Sequence, residues 1–504
     1  LAIRDQGQES DSRPEWQRKL LGQRERFEQM PGRVLISVNN TGYQAAIDLR
    51  PGTVASEKWF QENPKQNGYS QYDIPMKLQP GAKNVLVVGA GSGNDAAGML
   101  RNGAGRVIAV EIDPGIIAIG KRLHKEQPYD NPRCTVVNDD ARSFFATTHE
   151  KFDLITFGLL DSHTTTAMTN ARLDHYVYTQ ESINQVRTLL NPGGIAVLSF
   201  EAAKPYITDR MAVVLKRAFG HDPVIFRVPA NAYGWGGVLF VVGDNREAVE
   251  ARIAADPKLA ALVKEWQAKD PIKLTGTTRA PTDDWPYIYL EKPSIPVLYL
   301  LLAVVLGALY FYGRWQLGGA GATGRWGRSN WHFFFLGAAF MLLEVQNVSK
   351  AAVVLGNTWE VNAVIISGVM VMILLANLIA AKFPRIPMTP VFGLLVASCL
   401  GLYLVDLSRF AFLPYPTKAA IVGLLTSLPM LFSGIVFVRS FAAAERKDDA
   451  LGANLLGALV GGLLQTVTFV TGIKALLLIV AALYFAAVLV RPKEAGERVA
   501  EAPA

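Results

Sequence analysis

Asn84-Val85-Leu86-Val87-Val88-Gly89-Ala90-Gly91-Ser92-Gly93-Asn94-Asp95 is followed, after a short interval, by Arg106-Val107-Ile108-Ala109-Val110-Glu111-Ile112-Asp113. An apolar run of strand length meets a Gly-x-Gly-x-Gly turn, a helical segment Asp95–Arg101 follows, and a second apolar run ends in the acid Glu111. That order is the first half of a nucleotide-binding βαβ unit. Glycines let the backbone pass close beneath a ligand, and the helix that follows aims its N-terminus at it. An acid roughly twenty residues past the turn is placed to hold both hydroxyls of a ribose.

Outward from this unit the α/β alternation continues. Pro114–His124 reads as a helix with Asp113 as N-cap and Pro114 in its first turn. Cys134–Val137, Phe152–Phe157 and Ile195–Phe200 read as further strands, and Thr179–Leu190 as a helix stopped by Asn191-Pro192-Gly193-Gly194. Tyr206–Phe219 is a helix, and Val224–Val228 with Val238–Val242 close the sheet as an antiparallel pair. Strands separated by helices predict an α/β, doubly wound, Rossmann-like sheet. Upstream, Arg33–Val38 and Tyr43–Leu49 flank Asn39-Asn40-Thr41-Gly42, a hairpin turn, while residues 1–30 read as a charged helix or loose lead-in.

The chain of 504 residues changes character at Pro293. Before it, charge is scattered; after it, Ile295–Tyr312, Phe333–Leu355, Val361–Ala381, Pro390–Val405, Ala419–Val438, Leu451–Val470 and Ile473–Val490 have the length and apolar composition of membrane helices. The expected organisation is a lead-in and β-hairpin unit over 1–80, a Rossmann-like domain over 81–245, a helical extension and linker over 246–292, an all-α polytopic membrane domain over 293–490, and a tail over 491–504. The net charge of +7 sits largely in short loops between spans and so implies no nucleic-acid partner. The two cysteines, Cys134 and Cys399, form neither a metal-binding spacing nor a disulfide framework. The chain begins at Leu1 without a signal-peptide pattern, so residues preceding it are an open matter.

In doubly wound sheets ligands bind at the carboxyl ends of the strands. That rule selects Gly89, Ala90, Gly91 and Gly93 of the turn, Glu111 after the second strand, Asp139 and Asp140 after the third, and Asp161 and His163 after the fourth. Glu111 suits ribose hydroxyls. Asp140 suits an adenine amino group, and equally suits an N-cap for Ala141–Ala146. Asp161 or the imidazole of His163 is placed to orient or deprotonate an attacking nucleophile; either also reads as an ordinary loop residue. His175, Tyr176 and Tyr178 read as core packing before pocket lining.

Val-Leu-Val-Val-Gly-Ala-Gly-Ser-Gly from Val85, Val110-Glu111-Ile112-Asp113-Pro114, Asn138-Asp139-Asp140-Ala141-Arg142, Phe152-Asp153-Leu154-Ile155-Thr156 and Leu190-Asn191-Pro192-Gly193-Gly194 together resemble the spermidine synthase family of polyamine aminopropyltransferases, which share the class I methyltransferase fold. Thr282-Asp283-Asp284-Trp285-Pro286, Phe335–Glu344 and Gly452–Ala458 resemble the bacterial membrane-fused members. The resemblance implies S-adenosylmethionine or its decarboxylated form as the cofactor, no metal, and a small-molecule amine or other nucleophile as acceptor. Two departures bear on the acceptor. The family's Asp-Ser-x-Asp-Pro segment after the fourth strand has Gly158 at its first position here, with only its second Asp matched, by Asp161. Its Tyr-Gln-Glu segment has only an echo in Tyr69–Pro75. The expected function is a membrane-anchored transferase moving an aminopropyl or methyl group. The alternatives are a transporter or membrane-complex subunit whose soluble domain binds a nucleoside without turnover, and an assembly scaffold.

Within the apolar half, Phe333–Leu355 carries Glu344, Gln346, Asn347 and Lys350, which mark an interhelical polar network or a functional site. Gly457 and Gly461 form a small-xxx-small face for close helix packing. The lipid bilayer of a bacterial inner membrane is the expected surroundings, and a second copy or a membrane-complex subunit the expected protein partner. Basic residues Lys382, Arg385, Arg439, Arg446, Lys447, Arg491, Lys493 and Arg498 fall on one side, against Arg409, Lys418 and Lys474 on the other, which sets the C-terminus on the cytoplasmic side. Three full spans between Pro293 and Ala381 then put the soluble part outside, although S-adenosylmethionine is made inside cells. The soluble domain is assigned to the cytoplasm.

Overall fold

The computed structural model describes residues 2–4, 34–38, 41–160, 175–316, 326–356 and 359–492. Two compact units part between Asp283 and Asp284.

The first unit is built on one seven-stranded sheet. Its strands are β1 (Asn84–Val88), β2 (Arg106–Glu111), β3 (Cys134–Asn138), β4 (Phe152–Phe157), β5 (Leu190–Phe200), β6 (Val224–Val228) and β7 (Gly237–Val242). The spatial order is β3-β2-β1-β4-β5-β7-β6. The first five run parallel, and β7 lies antiparallel between β5 and β6. This order, with its closing antiparallel pair, is the methyltransferase-like variant of the doubly wound sheet. Val85, Leu86, Val87 and Val88 are all buried, as a central strand covered on both faces requires. That is why the strand reads as a continuous apolar run without alternation.

Helices α1 (Asn94–Arg101), α2 (Pro114–Leu123), α3 (Ala141–Thr147), α4 (Gln180–Leu189) and α5 (Pro205–Phe219) connect the strands. Three start on side-chain caps. Asp113 accepts from Gly115 and Ile116 N–H, Asp140 from Arg142 and Ser143 N–H, and Thr179 from Ser182 N–H. Asn191–Gly194 does not separate α4 from its strand, as the sequence leads one to expect. It lies inside β5 as a bulge. Leu190 pairs with Phe152, the register then shifts, and Ile195 pairs with Leu154. Gly193, at φ +74°, supplies the left-handed residue that such an irregularity needs.

The hairpin strands Val34–Val38 and Thr41–Ala46 pair as expected, and Ala2–Arg4 adds a third antiparallel strand where the sequence suggests only helix or lead-in. Residues 246–269 form two helices, Arg246–Ala255 and Pro257–Lys269, broken where Asp256 caps the second. Both pack on the sheet: Val249, Ile253, Leu262 and Trp266 join Val224, Phe226 and Leu239 in one buried cluster.

The second unit is helical. Among the described residues four helices, Arg328–Leu355, Glu360–Lys382, Tyr415–Ala442 and Lys447–Thr471, are long and apolar enough to cross a membrane. Val297–Gly313, Met388–Leu404 and Ala475–Leu489 are shorter apolar helices. The polar helix Arg328–Leu355 is also the one most enclosed by its neighbours. Asn347 donates to Thr426 O at 2.7 Å, and Lys350 donates to the carbonyls of Leu402 and Val405 that end a neighbouring helix. A Cβ on Gly457 would stand 2.0 Å from Phe334 O, and one on Gly461 2.5 Å from Ala338 O, so these glycines bring two backbones into contact. Trp285 donates to Phe469 O, and Asp284 accepts from Lys474 N–H, tying the start of this unit to its last helical pair.

Candidate functional site

β1 delivers the chain into the turn with Gly89 at φ +65° and Gly91 at φ +56°, the left-handed region that glycine alone enters without strain. Hydrogen bonds hold the turn from three sides. Ala90 N–H donates to Val110 O at 3.0 Å, Ser92 N–H donates to Gln44 Oε1 at 2.9 Å, and the Tyr129 hydroxyl donates to Gly91 O at 2.6 Å. Gly120 of α2 packs so close that a Cβ there would meet Ser92 O at 2.6 Å.

Glu111 ends β2 beside this turn. Its Oε2 accepts from Gly91 N–H at 2.7 Å and its Oε1 from Asp113 N–H at 3.0 Å. Burial raises its carboxyl above the ordinary range, and the backbone donors pull the other way. Each carboxylate oxygen keeps a second lone pair, so the pair of ribose hydroxyls expected here adds to these bonds without displacing them. At the end of β3, Asp139 Oδ1 accepts from Asp140 N–H at 2.8 Å, and Asp140 Oδ1 accepts from Arg142 and Ser143 N–H at 2.8 and 3.1 Å. Gly89, Ala90, Gly91, Gly93, Glu111, Asp139 and Asp140 thus all gather at the carboxyl ends of β1, β2 and β3. Asp161 and His163 lie outside the described residues. Tyr176 and Tyr178 are buried, and Tyr178 sits edge-on to Phe200 with ring centroids 5.1 Å apart, which is core packing.

Around α1 the structure assembles residues without an expected role, together with part of Tyr69–Pro75. Asn94, the first residue of α1, accepts from Ile47 N–H at 2.9 Å and donates to Ala45 O at 2.7 Å, fastening the N-terminal hairpin to the helix. Arg101 at the other end of α1 donates to Asp73 at 2.7 Å and to both oxygens of Glu126 at 2.6 Å. Asp73 also accepts from Ser70 Oγ and Asn102 Nδ2. This network pins residues 70–73 against α1, where a Cβ on Gly98 would stand 2.1 Å from Tyr72 O. Gln71, Tyr72 and the Asp95 carboxyl are buried in consequence. Nothing in residue type marks Asn94 or Asp95 for burial, because Asp and Asn in the first turn of a helix are ordinary end residues.

Residues 71–251 match the family described as spermine/spermidine synthase domain. Over those residues the chain is similar to a spermidine synthase domain. Among curated proteins it is 32% identical over 185 residues to polyamine aminopropyltransferase 1 of Pseudomonas aeruginosa, covering 34% of this chain and 60% of that one. It is 30% identical over 182 residues to the polyamine aminopropyltransferase of Mycobacterium tuberculosis, covering 34% of this chain and 33% of that one. The chain therefore spans between one third and three fifths of the length of these relatives. Among solved structures, spermidine synthase from Thermotoga maritima aligns at 16% identity over 48% of this chain and 73% of that one, with a TM-score of 0.33. The matched residues hold the sheet and its glycine turn and end within Arg246–Ala255; the helical second unit lies beyond them.

Proposed function

We propose that this chain is a membrane-anchored aminopropyltransferase that uses decarboxylated S-adenosylmethionine and a small-molecule amine. The observation that carries the reading is Glu111, held at the end of β2 by Gly91 and Asp113 N–H, beside a positive-φ glycine turn within a spermidine synthase domain. Glu111 binds the ribose, Gly89–Gly93 pass beneath the sugar and sulfur end, and Asp140 or Asp139 receives the adenine amino group. When bound, the sulfonium supplies an electrophilic carbon and a neutral thioether leaving group. The residues of this chain bind, align and exclude water; proximity and orientation provide most of the acceleration. The neutral acceptor nitrogen forms its bond to that carbon as the carbon–sulfur bond breaks with its electron pair on sulfur, and the surplus proton on nitrogen passes to Asp161 or His163. Asp161 and His163 are the loop groups proposed to face the acceptor.

The helical unit supports anchoring in a bilayer. Val297, Leu298 and Phe311 each expose more than two thirds of their surface, which lipid covers better than water. The soluble domain is proposed to face the cytoplasm, where its nucleoside is made.

Titration calorimetry on the full chain tests the reading. Decarboxylated S-adenosylmethionine is expected to bind, and Glu111→Ala to weaken it at least tenfold. Absence of binding to the unaltered chain sinks the proposal. A nucleoside-binding membrane subunit without turnover is the second reading, motivated by Gly158 at the position of the family's first Asp. Nucleoside binding with no product from a panel of amines supports it.

A further inference from the structure

We propose that Arg439, on the outward face of Tyr415–Ala442 near its C-terminal end, binds the phosphate of an anionic membrane phospholipid, with Lys382 and Arg385 at the same end of the bundle. The proposal rests on the helical unit crossing a bilayer and is independent of the transfer reaction.

Contacts fix which sides of Tyr415–Ala442 are taken. Asn347 Nδ2 donates to Thr426 O at 2.7 Å, the Tyr484 hydroxyl donates to Ser433 Oγ at 2.8 Å, and His332 Nε2 lies 2.9 Å from Ser440 Oγ. Positions 426, 433 and 440 recur every seventh residue and form one stripe. A second stripe meets Glu360–Lys382. A Cβ on Gly423 would lie 3.2 Å from Val364 Cγ1, one on Gly434 2.7 Å from Ala376 Cβ, and one on Gly368 2.6 Å from Ser427 Oγ. At 3.6 residues per turn, Arg439 points about 100° or more away from every residue of both stripes. It lies on the outward side, which it shares with Leu424, 57% exposed.

The same contacts set the levels. Val364, Gly368 and Ala376 follow one another along their helix as Gly423, Ser427 and Gly434 do along theirs, so the two helices run parallel. Lys382 therefore comes level with Ser440, and Arg385 follows in the short connection to Met388–Leu404. Tyr415–Ala442 has 28 residues, which is about 42 Å of helix against a hydrocarbon core of about 30 Å. Arg439 stands about 16 Å from the middle of that helix, at the depth where lipid phosphates begin.

Arg439 is half-buried, and its Nε is closed to solvent without an acceptor. Among the described residues no carboxylate or carbonyl takes its guanidinium. The other arginines nearby are served: Arg446 pairs with Asp448 and Asp449, and Arg328 donates to Leu489 O. A guanidinium presents a planar fork of donors and accepts nothing, so its complement is an anion with paired oxygens. On a lipid-facing side at this depth, the phosphodiester is the anion that a bilayer supplies. A zwitterionic headgroup brings its own cation beside the phosphate. An anionic one does not, and Lys382 and Arg385 add attraction for it.

The test places the full chain in nanodiscs of equal parts phosphatidylcholine and phosphatidylglycerol and counts the lipids it retains by native mass spectrometry. Phosphatidylglycerol is expected to be retained about fivefold over phosphatidylcholine, and Arg439→Gln to bring the ratio near one, the loss of one basic contact at a headgroup. Arg446→Gln removes the same charge from a guanidinium that already has its carboxylates, and should leave the ratio unchanged within twofold. No preference in the unaltered chain, or equal losses in both variants, overturns the proposal. Displacement of the retained lipid by inorganic phosphate overturns it too, since the site is then one for the free ion. If Arg439→Gln does not fold, the exposed pair decides: Lys382→Gln with Arg385→Gln should lower the ratio, and an unchanged ratio overturns the proposal. A chain that alkaline carbonate strips from membranes removes the bilayer reading and this site together; a chain that stays, without the preference, removes this site alone.

Discussion

A carboxyl buried without a cation costs the folded chain free energy as soon as it ionises. Asp95 is raised from 3.8 to about 7, so the penalty is absent below about pH 4, grows as pH rises toward 7 and is constant above it. The rise is worth about 4 kcal/mol at most. Asp95→Asn, which stays neutral, is therefore expected to raise the apparent Tm at pH 8 and to leave it nearly unchanged at pH 4; differential scanning fluorimetry at the two pH values checks this. Arg101 is the opposite case. Its guanidinium compensates Asp73 and Glu126 together, so Arg101→Met strands two buried carboxylates and is expected to cost about 3–5 kcal/mol, read as a lowered unfolding midpoint. The position of Glu111 at the end of β2, beside the glycine turn, was legible because its distance from that turn is fixed by the length of a βα unit. The burial of Asp95 was not, because it depends on a residue without a side chain at position 158, sixty-odd positions along the chain and adjacent only after the sheet forms.

Elements were legible where one force dominates. The buried strands β1, β2 and β4 read correctly from apolar runs alone, and the caps Asp113, Asp140 and Thr179 sit where short-range rules put them. The bulge at Asn191–Gly194 was not, since Pro-Gly-Gly is ordinarily a stop and only pairing with β4 carries the strand through it. Close backbone approaches are likewise invisible until neighbours are known. Ala normally stabilises a helix interior over Gly by about 1 kcal/mol. Gly98→Ala should do the reverse, costing about 1–3 kcal/mol, because its Cβ would stand 2.1 Å from Tyr72 O. In the helical unit Gly457→Ala meets Phe334 O at 2.0 Å, whereas nothing lies within 4 Å of a Cβ on Gly452. Thermal unfolding in detergent should separate the two variants, with Gly457→Ala destabilised and Gly452→Ala unchanged.

For the whole molecule, the number of crossings decides which side the soluble domain occupies. Four crossings, by the four long helices, bring both ends of the helical unit to one face; seven, with the three shorter ones, set them on opposite faces. The cytoplasmic assignment goes with the even count. Single cysteines placed in Arg246–Ala255 should resist an impermeant thiol reagent in intact cells and react after lysis; labelling in intact cells would move the domain outside. Composition marked the division of the chain into a charged half and an apolar half, but hydropathy does not count crossings when helices are as short as Met388–Leu404. The central claim is aminopropyl transfer at the carboxyl ends of β1, β2 and β4. Its most direct test is mass spectrometry of the full chain incubated with decarboxylated S-adenosylmethionine and a diamine. The account predicts methylthioadenosine and the aminopropylated amine in equal amounts. Neither product from a chain that binds the nucleoside, or methyl transfer in their place, would contradict it.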